Sequence, residues 1–249
     1  MNFLSIFKRN LIFKIKKKID IDKHIFDSNM TIEELFSFYE TDKAKFIKNQ
    51  NVPGHGYSDF YEKHFYKFKN KSLNILEIGS YSGASAAAFS KYFPNSNIYC
   101  LDVNLSKFIY KSKQIFPHGL DVTNSKMLKK FQSKIDFEKK IISWDIIIDD
   151  GSHILSHQHK SINYFFRYLK LGGLYVIEDY KFPEYFMHLK DIDDFTLSKI
   201  VQKIKDKQSF KLKFINDETL NSLRRNIQNI FEYKGNKKIS DILFIEKLD

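Results

Sequence analysis

Two short acidic sequences carry side chains that could bind a metal ion. Residues 149–153 (Asp-Asp-Gly-Ser-His) follow three consecutive isoleucines, and residues 178–179 (Glu-Asp) follow the apolar run 173–177. Short apolar runs rich in β-branched residues are typical of strands buried on both faces of a parallel sheet. Ligands of such sheets bind at the carboxyl ends of the strands. If these two strands are neighbours, their acidic residues meet there with the histidine beside them.

The carboxylates of Asp150, Glu178 and Asp179 would repel one another unless a cation lay between them. Carboxylate oxygens are the ligands that hard divalent ions such as Mg²⁺ prefer. The alternative is that these are solvated loop acids that cap the helices after them, which is common at such positions. The residue types alone leave both interpretations open.

Zinc is not expected at this site. The helix predicted over 155–170 carries His157 and His159, which lie on different helix faces and cannot join His153 in one tight site. The single cysteine, Cys100, excludes a multi-cysteine zinc site and an internal disulfide framework, and it fits a reducing compartment.

A glycine turn between a strand and a small-residue helix is the second candidate binding element. Residues 73–89 run from an apolar strand through Glu77-Ile-Gly79-Ser-Tyr-Ser-Gly83 into an alanine-rich helix. Glycines let the backbone approach a ligand, and the helix N-terminus offers free N–H groups. The dinucleotide fingerprint G-x-G-x-x-G has a third glycine that is missing here, which disfavours an NAD-dependent oxidoreductase. The pattern is typical of a nucleoside-type cofactor without a pyrophosphate.

Acidic residues follow the next two predicted strands. The strand 97–102 ends at Asp102, about 20 residues after the glycine turn, where a carboxylate can accept hydrogen bonds from both ribose hydroxyls. Asp121 follows a third short strand, and it could approach an adenine amino group or cap a helix over 123–134. Cys100 lies inside the strand 97–102 and is expected in the core.

The region 31–69 begins as a helix and continues as a polar loop. Thr31 and Glu34 have the spacing of a capping box. The loop contains residues 41–43 (Thr-Asp-Lys) and 53–57 (Pro-Gly-His-Gly-Tyr), and Tyr61 follows it. Two glycines around a histidine predict either a segment that folds over a ligand or an ordinary connection.

The overall charge and the N-terminal segment both suggest an anionic partner. The net charge of +11 fits nucleic acid, an acidic membrane surface or nucleotide-linked substrates, and it fits a compositional bias of the genome equally well. Within residues 1–25 the apolar positions near helical spacing are Leu4, Phe7, Leu11, Ile15 and Ile19. This basic amphipathic segment predicts peripheral contact with an anionic membrane, or packing on its own domain or on a partner subunit. The apolar runs are too short to span a membrane, and no signal cleavage site follows them.

The C-terminal part carries fewer interpretable motifs. Residues 181–225 are charged and partly helical, and we assign them to a substrate-binding or lid insertion. Apolar and polar residues alternate along the segments 226–233 and 239–247, which lie on either side of a Lys-Gly-Asn turn. This pattern predicts an antiparallel hairpin. Because no long linker or internal repeat is present, we expect an N-terminal segment over 1–30 and one domain over 31–249.

Taken together, these motifs resemble the class I S-adenosylmethionine-dependent methyltransferases. The narrower resemblance is to the metal-dependent sugar O-methyltransferases of the macrocin and mycinamicin type and to their relatives in polysaccharide gene clusters. The motifs that carry it are the turn from Glu77 to Gly83, Asp102, 149–153, 178–179, 41–43, 55–57 and Tyr61. It covers residues 31–180 well, the final hairpin loosely and the first 25 residues not at all. One departure is that the family's Gly-Asp-Gln segment is here Gly119-Leu120-Asp121.

The resemblance implies an α/β, Rossmann-like fold with a mostly parallel seven-stranded sheet and a C-terminal antiparallel hairpin. It implies S-adenosylmethionine as methyl donor and a Mg²⁺ ion held by Asp150, Glu178 and Asp179. His153 is then the base that takes the proton of the substrate hydroxyl. The residues implied for the cofactor are Tyr57, Glu77, Gly79, Ser80, Gly83, Ser85, Asp102, Asp121 and Asp149.

The expected substrate is a hydroxyl of a sugar or of a glycan or capsule precursor, including nucleotide-linked sugars. The expected location is the cytoplasm or the inner face of the membrane, and enzymes of this group often self-associate. The alternatives are methylation of another small metabolite or of nucleic acid, and a non-catalytic nucleoside-binding protein. Nucleic acid is not the expected partner, because the chain has no Asn/Asp-Pro-Pro-Tyr/Phe motif and Cys100 lies in the wrong strand for a base-attacking nucleophile.

Overall fold

A computed structural model describes residues 3–27, 29–141 and 143–249 of the chain. Its main sheet has seven strands, most of them parallel, which confirms the expected α/β, Rossmann-like fold. The chain divides into two compact units, Met1–Asp121 with Lys234–Ser240 and Val122–Tyr233 with Asp241–Asp249. The boundary predicted at residue 30 stays a prediction, and residues 1, 2 and 28 of that segment lie outside the described part.

The first unit contains the N-terminal helices and three strands of the main sheet. Its helices are α1 (Phe3–Ile15), α2 (Ile32–Tyr39), α3 (Ser58–Phe65) and α4 (Ala84–Tyr92). Its strands are β1 (Ile19–Asp20), β2 (Phe46–Ile47), β3 (Val52–Pro53), β4 (Asn74–Ile78), β5 (Asn97–Asp102), β6 (Tyr110–Lys111) and β7 (Ile115–Gly119). β4, β5 and β7 are parallel neighbours in that order, so their carboxyl ends share one edge.

Local sequence explains where two of these helices begin. Thr31 and Glu34 form the predicted capping box, in which each side chain accepts a hydrogen bond from the other residue's backbone N–H. α4 begins after Gly83 and consists largely of small, buried residues, which lets it pack closely against α2. Both helices agree with the sequence prediction.

The second unit contains the two strands that end in acidic residues. Its helices are α5 (Ser125–Lys139), α6 (Leu155–Phe165), α7 (Phe182–Tyr185), α8 (Leu197–Lys205) and α9 (Asp217–Arg225). Its strands are β8 (Trp144–Asp149), β9 (Leu169–Glu178), β10 (Ile227–Lys234) and β11 (Asp241–Lys247).

The strand pairing of the second unit follows the predicted pattern. β8 and β9 are parallel neighbours with Asp149 opposite Ile177, and β11 runs antiparallel to β9. The three isoleucines of β8 are completely buried, as their apolar run predicted. β10 lies beside β11, which confirms the C-terminal hairpin.

Two helix boundaries differ from the prediction. α5 begins at Ser125, and its cap is Asn124, whose side chain accepts hydrogen bonds from the N–H groups of Lys126 and Met127. Asp121 is therefore not the cap, because it stands too far before the first helical N–H groups. α6 ends at Phe165 rather than near residue 170, and a 3₁₀ turn follows it. None of the described helices is both long and apolar enough to cross a membrane.

Candidate functional site

The ends of β8 and β9 bring an imidazole and two carboxylates together. One ligand atom from each of Asp150, His153 and Asp179 lies within 4.8 Å of the others. Asp150 directly follows β8 and Asp179 directly follows β9, so the parallel pairing of these strands places both at one edge of the sheet. The two acidic sequences thus meet where α/β sheets usually bind their ligands.

Two residues of this acidic cluster (Asp150, His153 and Asp179) have a left-handed backbone. The φ angle is 57° at His153 and 49° at Asp179. For a residue other than glycine this conformation costs about 1 kcal/mol, so surrounding contacts must stabilise it. The His153 ring packs on the Phe182 ring with their centroids 4.8 Å apart, and its Nε2 lies 3.7 Å from Asp150 Oδ1. The imidazole is therefore held beside the carboxylate.

Side chains at the start of α6 hold the turn that carries His153. Ser152 Oγ and His157 Nδ1 lie 2.6 Å apart. Asp191 accepts hydrogen bonds from the backbone N–H and the hydroxyl of Ser156, at 3.0 and 2.7 Å. Because both interactions involve the residues next to the turn, they restrict the positions that His153 can take.

Glu178 is not part of the acidic cluster in the described ranges of the chain. It is the last residue of β9 and is buried, whereas Asp179 lies beyond the end of the strand. Glu178 lines a small pocket of about 20 Å³ together with Asp149, His153, His157 and other residues. Its role as a third metal ligand stays a prediction.

Asp149 is a buried carboxylate at the end of β8. Burial raises the pKa of Asp149 to about 6. The Gly151 N–H donates to Oδ1 at 3.2 Å, whereas Oδ2 is buried and has no hydrogen-bond partner among the described residues. Because this oxygen is shielded from solvent in the structure, contact of Asp149 with the cofactor stays a prediction.

Two left-handed glycines shape the turn of the first unit. The φ angle is 85° at Gly79 and 80° at Gly83, a conformation that glycine adopts without strain. A Cβ atom at Gly83 would lie only 2.5 Å from the Phe108 ring, so a larger residue does not fit. α4 starts directly after Gly83, and its first backbone N–H groups can bind a ligand.

Three predicted cofactor residues form a linked group at this turn. The Ser85 hydroxyl donates to Glu77 Oε1, and both side chains are buried. The buried Ser80 hydroxyl donates to the Glu77 carbonyl at 3.5 Å. Burial, and then the nearby Glu77 carboxylate, raise the pKa of the Cys100 thiol, which fits its predicted place in the core.

Asp102 is held by backbone donors at the end of β5. The Tyr81 N–H donates to Oδ2 at 2.8 Å and the Asn104 N–H donates to Oδ1 at 2.6 Å. Each carboxylate oxygen has a further lone pair that can accept a ribose hydroxyl. Gly119 pairs with Asp102 in register, so Asp121 follows the end of the neighbouring strand.

The loop 53–57 is tied to the hairpin turn of its own unit. His55 Nδ1 lies 3.0 Å from Ser240 Oγ, and a Cβ atom at Gly56 would meet the Asn236 side chain. Tyr57 is completely buried, with its ring centroid 5.2 Å from that of His55. Closure of this loop over a ligand and contact of Tyr57 with the cofactor stay predictions.

From the sequence we excluded His157 and His159 from a tight site with His153 and assigned them no role. The His159 ring is completely buried, its Nε2 lies 2.9 Å from the Phe195 carbonyl oxygen, and burial lowers its pKa. His157 instead contacts Ser152 in the turn, and the closeness of the two residues in the chain could have indicated this. The contact of Phe182 with His153 had no such signal, because only the fold brings these rings together.

No protein-family model matches the chain. Over 159 residues it is 30% identical to mycinamicin VI 2''-O-methyltransferase of Micromonospora griseorubida, in a match that covers 59% of this chain and 35% of that protein. Over 132 residues it is 30% identical to demethylmacrocin O-methyltransferase of Streptomyces fradiae, in a match that covers 50% and 32%. The chain thus spans about a third of the length of the curated relatives it matches.

A solved structure resembles most of the chain. It is the MycE methyltransferase from the mycinamycin biosynthetic pathway in complex with Mg, SAH and mycinamycin VI, with a TM-score of 0.65 and 25% sequence identity. The similarity covers 88% of this chain and 55% of that one. The resemblance to class I S-adenosylmethionine-dependent methyltransferases of the macrocin and mycinamicin type is therefore confirmed.

Proposed function

We propose that the protein is an S-adenosylmethionine-dependent O-methyltransferase that uses a divalent cation, Mg²⁺, to methylate a sugar hydroxyl. The observation that carries this proposal is the acidic cluster at the ends of two adjacent parallel strands. The comparisons support it, because the two curated relatives are named as O-methyltransferases and the MycE structure holds Mg and SAH.

The donor atoms of the cluster fit a hard divalent cation. Asp150 and Asp179 present carboxylate oxygens close enough to share one ion. A cation bound there supplies Lewis acidity that orients substrate hydroxyls and lowers the pKa of one of them. Glu178 is the third proposed ligand, because it lines the pocket beside the cluster together with His153.

His153 is the proposed general base. A sugar hydroxyl is overwhelmingly protonated near neutral pH, so methyl transfer to its oxygen requires a proton acceptor. The Nε2 atom of His153 lies 3.7 Å from Asp150 Oδ1, so the imidazole stands beside the proposed metal site, where the substrate hydroxyl would be bound. The contact between Ser152 and His157 keeps the ring in this position.

The residues proposed for the cofactor divide by the part they contact. Asp102 accepts hydrogen bonds from the ribose, and Gly79 and Gly83 admit the methionine part, with Glu77, Ser80 and Ser85 supporting the turn. The proposed set is completed by Tyr57, Asp121 and Asp149. The sulfonium supplies an electrophilic methyl group, whose transfer requires the acceptor oxygen in line with the methyl carbon and the sulfur.

The proposed acceptor is a sugar of a glycan or capsule precursor, including nucleotide-linked sugars, in the cytoplasm or at the inner face of the membrane. Residues 181–225 are proposed to contact it, because Phe182 at the start of this region already packs on His153. A sugar attached to another small molecule is the alternative acceptor. Self-association stays a prediction.

The test is a transfer assay with labelled S-adenosylmethionine and a panel of free and nucleotide-linked sugars. We expect excess EDTA to abolish incorporation of label and added Mg²⁺ to restore it, because the cation activates the acceptor hydroxyl. Full activity in excess EDTA would contradict the metal-dependent step. Labelling of RNA or DNA but of no sugar would contradict the proposed acceptor class.

A further inference from the structure

The outer face of α1 is apolar although the helix lies on the surface. Its exposed apolar side chains are Leu4, Phe7, Leu11, Ile12 and Ile15, with 69, 54, 47, 40 and 86% of their surface accessible. Their spacing by three and four residues places them along one side of the helix. Soluble proteins seldom leave a continuous apolar stripe of this kind uncovered unless it binds something.

The opposite face fastens α1 to the first unit. Ile6 is buried there. Asn10 Nδ2 donates to the Gly119 carbonyl at 3.1 Å, and Lys16 Nζ donates to the Ser106 carbonyl at 3.0 Å. The helix is therefore held in place mainly by other residues than those of the apolar stripe. The sequence left open whether this segment packs on its own domain. That packing uses the opposite face of α1, so it does not explain why the apolar stripe is exposed.

Basic side chains accompany the stripe. The segment 3–18 contains no acidic residue, and its basic residues are Lys8, Arg9, Lys14, Lys16, Lys17 and Lys18. Lys8 and Lys14 are exposed beside the stripe, and Lys17 is exposed just beyond the end of the helix. Ammonium groups beside an apolar stripe on a surface helix suit the boundary between the headgroups and the acyl chains of an anionic bilayer.

We propose that α1 docks the protein on an anionic lipid surface. The apolar stripe enters the acyl boundary, and the lysines contact the headgroup phosphates. A second copy of the chain would also cover the stripe, but it would bring the lysines of two copies together, and like charges oppose such an association. This inference does not depend on the proposed methyl transfer.

The test is co-sedimentation of the full chain with vesicles of phosphatidylcholine, with and without phosphatidylglycerol. We expect binding to the anionic vesicles only, and weaker binding at high salt because the charges are screened. Leu11→Ser with Ile15→Ser should weaken binding roughly tenfold or more, because less apolar surface enters the bilayer. Lys8→Gln with Lys14→Gln should weaken it roughly twenty-fivefold, at about fivefold for each lysine.

The matched controls lie on α5. Phe137→Ser and Lys129→Gln also replace an exposed apolar and an exposed basic residue, and they should leave vesicle binding unchanged. Equal binding to neutral and anionic vesicles, or unchanged binding of both α1 variants, would overturn the proposal. So would a dimer in solution that the change at Leu11 and Ile15 converts to a monomer, because the stripe would then belong to a second copy.

Discussion

The glycine turn and the acidic cluster are built in opposite ways. At the turn the charged groups are held by short hydrogen bonds, from backbone N–H groups to Asp102 and from Ser85 to Glu77. In the acidic cluster two carboxylates lie close together, and two of its three residues have a left-handed backbone. The first arrangement is prepared for a ligand by its shape, whereas the second gains most from an added positive charge. Substitutions should therefore separate cofactor affinity from turnover.

The largest expected effect is the loss of turnover in His153→Ala. Without the base, kcat should fall by about 10² to 10⁴, the usual contribution of a positioned proton acceptor. Calorimetry with S-adenosylhomocysteine should show unchanged affinity, because the glycine turn is intact. His24→Ala is the control, since His24 is a half-exposed histidine of the first unit that belongs neither to the acidic cluster nor to the glycine turn. A matching loss of cofactor affinity in His153→Ala would break the distinction between the two regions.

Metal affinity should discriminate between the two adjacent acids at the end of β9. We expect Asp179→Asn to weaken Mn²⁺ binding roughly a hundredfold and Glu178→Gln roughly tenfold, within the range for ligands and the groups around them. The reason is that Asp179 already belongs to the acidic cluster, whereas the side chain of Glu178, the third proposed ligand, lines the neighbouring pocket and has to move to reach the ion. Calorimetry or electron paramagnetic resonance of Mn²⁺ measures the metal affinity of both variants. Asp193→Asn, at an exposed position, is the control. Equal losses would contradict this ranking.

Asp102→Ala should show the reverse of the His153 result. Loss of the ionised acceptor should weaken S-adenosylhomocysteine binding by roughly tenfold to a hundredfold, the usual range for hydrogen bonds to a charged group. Mn²⁺ affinity should stay unchanged, because Asp102 is no member of the acidic cluster. The control is Asp136→Ala on the exposed side of α5. Weakened metal binding in Asp102→Ala would show that the two regions are coupled.

The smallest expected effect is a pH-dependent loss of stability caused by His159 in α6. Above its ordinary pKa of ~6.5 the ring is neutral in both the folded and the unfolded chain. Below it the unfolded chain binds a proton that the folded chain resists, because burial lowers the pKa of His159, although Asp191 and Asp194 oppose this shift. The free energy of unfolding should therefore fall as the pH drops below 6.5.

Denaturant unfolding at a series of pH values measures this loss. His159→Gln should be less sensitive to acid than the unchanged protein, and the exposed His188→Gln should follow the unchanged protein. A constant difference between His159→Gln and the unchanged protein at every pH would contradict the assignment. A confirmed effect would assign part of the acid sensitivity of the fold to α6, the helix that follows the acidic cluster.

The elements that present both regions could be predicted from the sequence. The three isoleucines of β8, the glycine spacing before α4 and the capping box of α2 are local patterns, and each one specifies a strand, a turn or a helix start by itself. The resemblance that these motifs indicated was confirmed for the same reason, because each motif consists of residues that lie close together in the chain.

Tertiary structure alone decided how the residues beyond those elements are arranged. The strict alternation of side chains stops where β9 ends, so the sequence could not tell that Asp179 joins the acidic cluster while Glu178 lines a pocket. It could not tell that Phe182 would pack on His153, or that the apolar side of α1 would face outward. Periodicity determines which residues share a face, but which face is buried depends on what the rest of the chain packs against it.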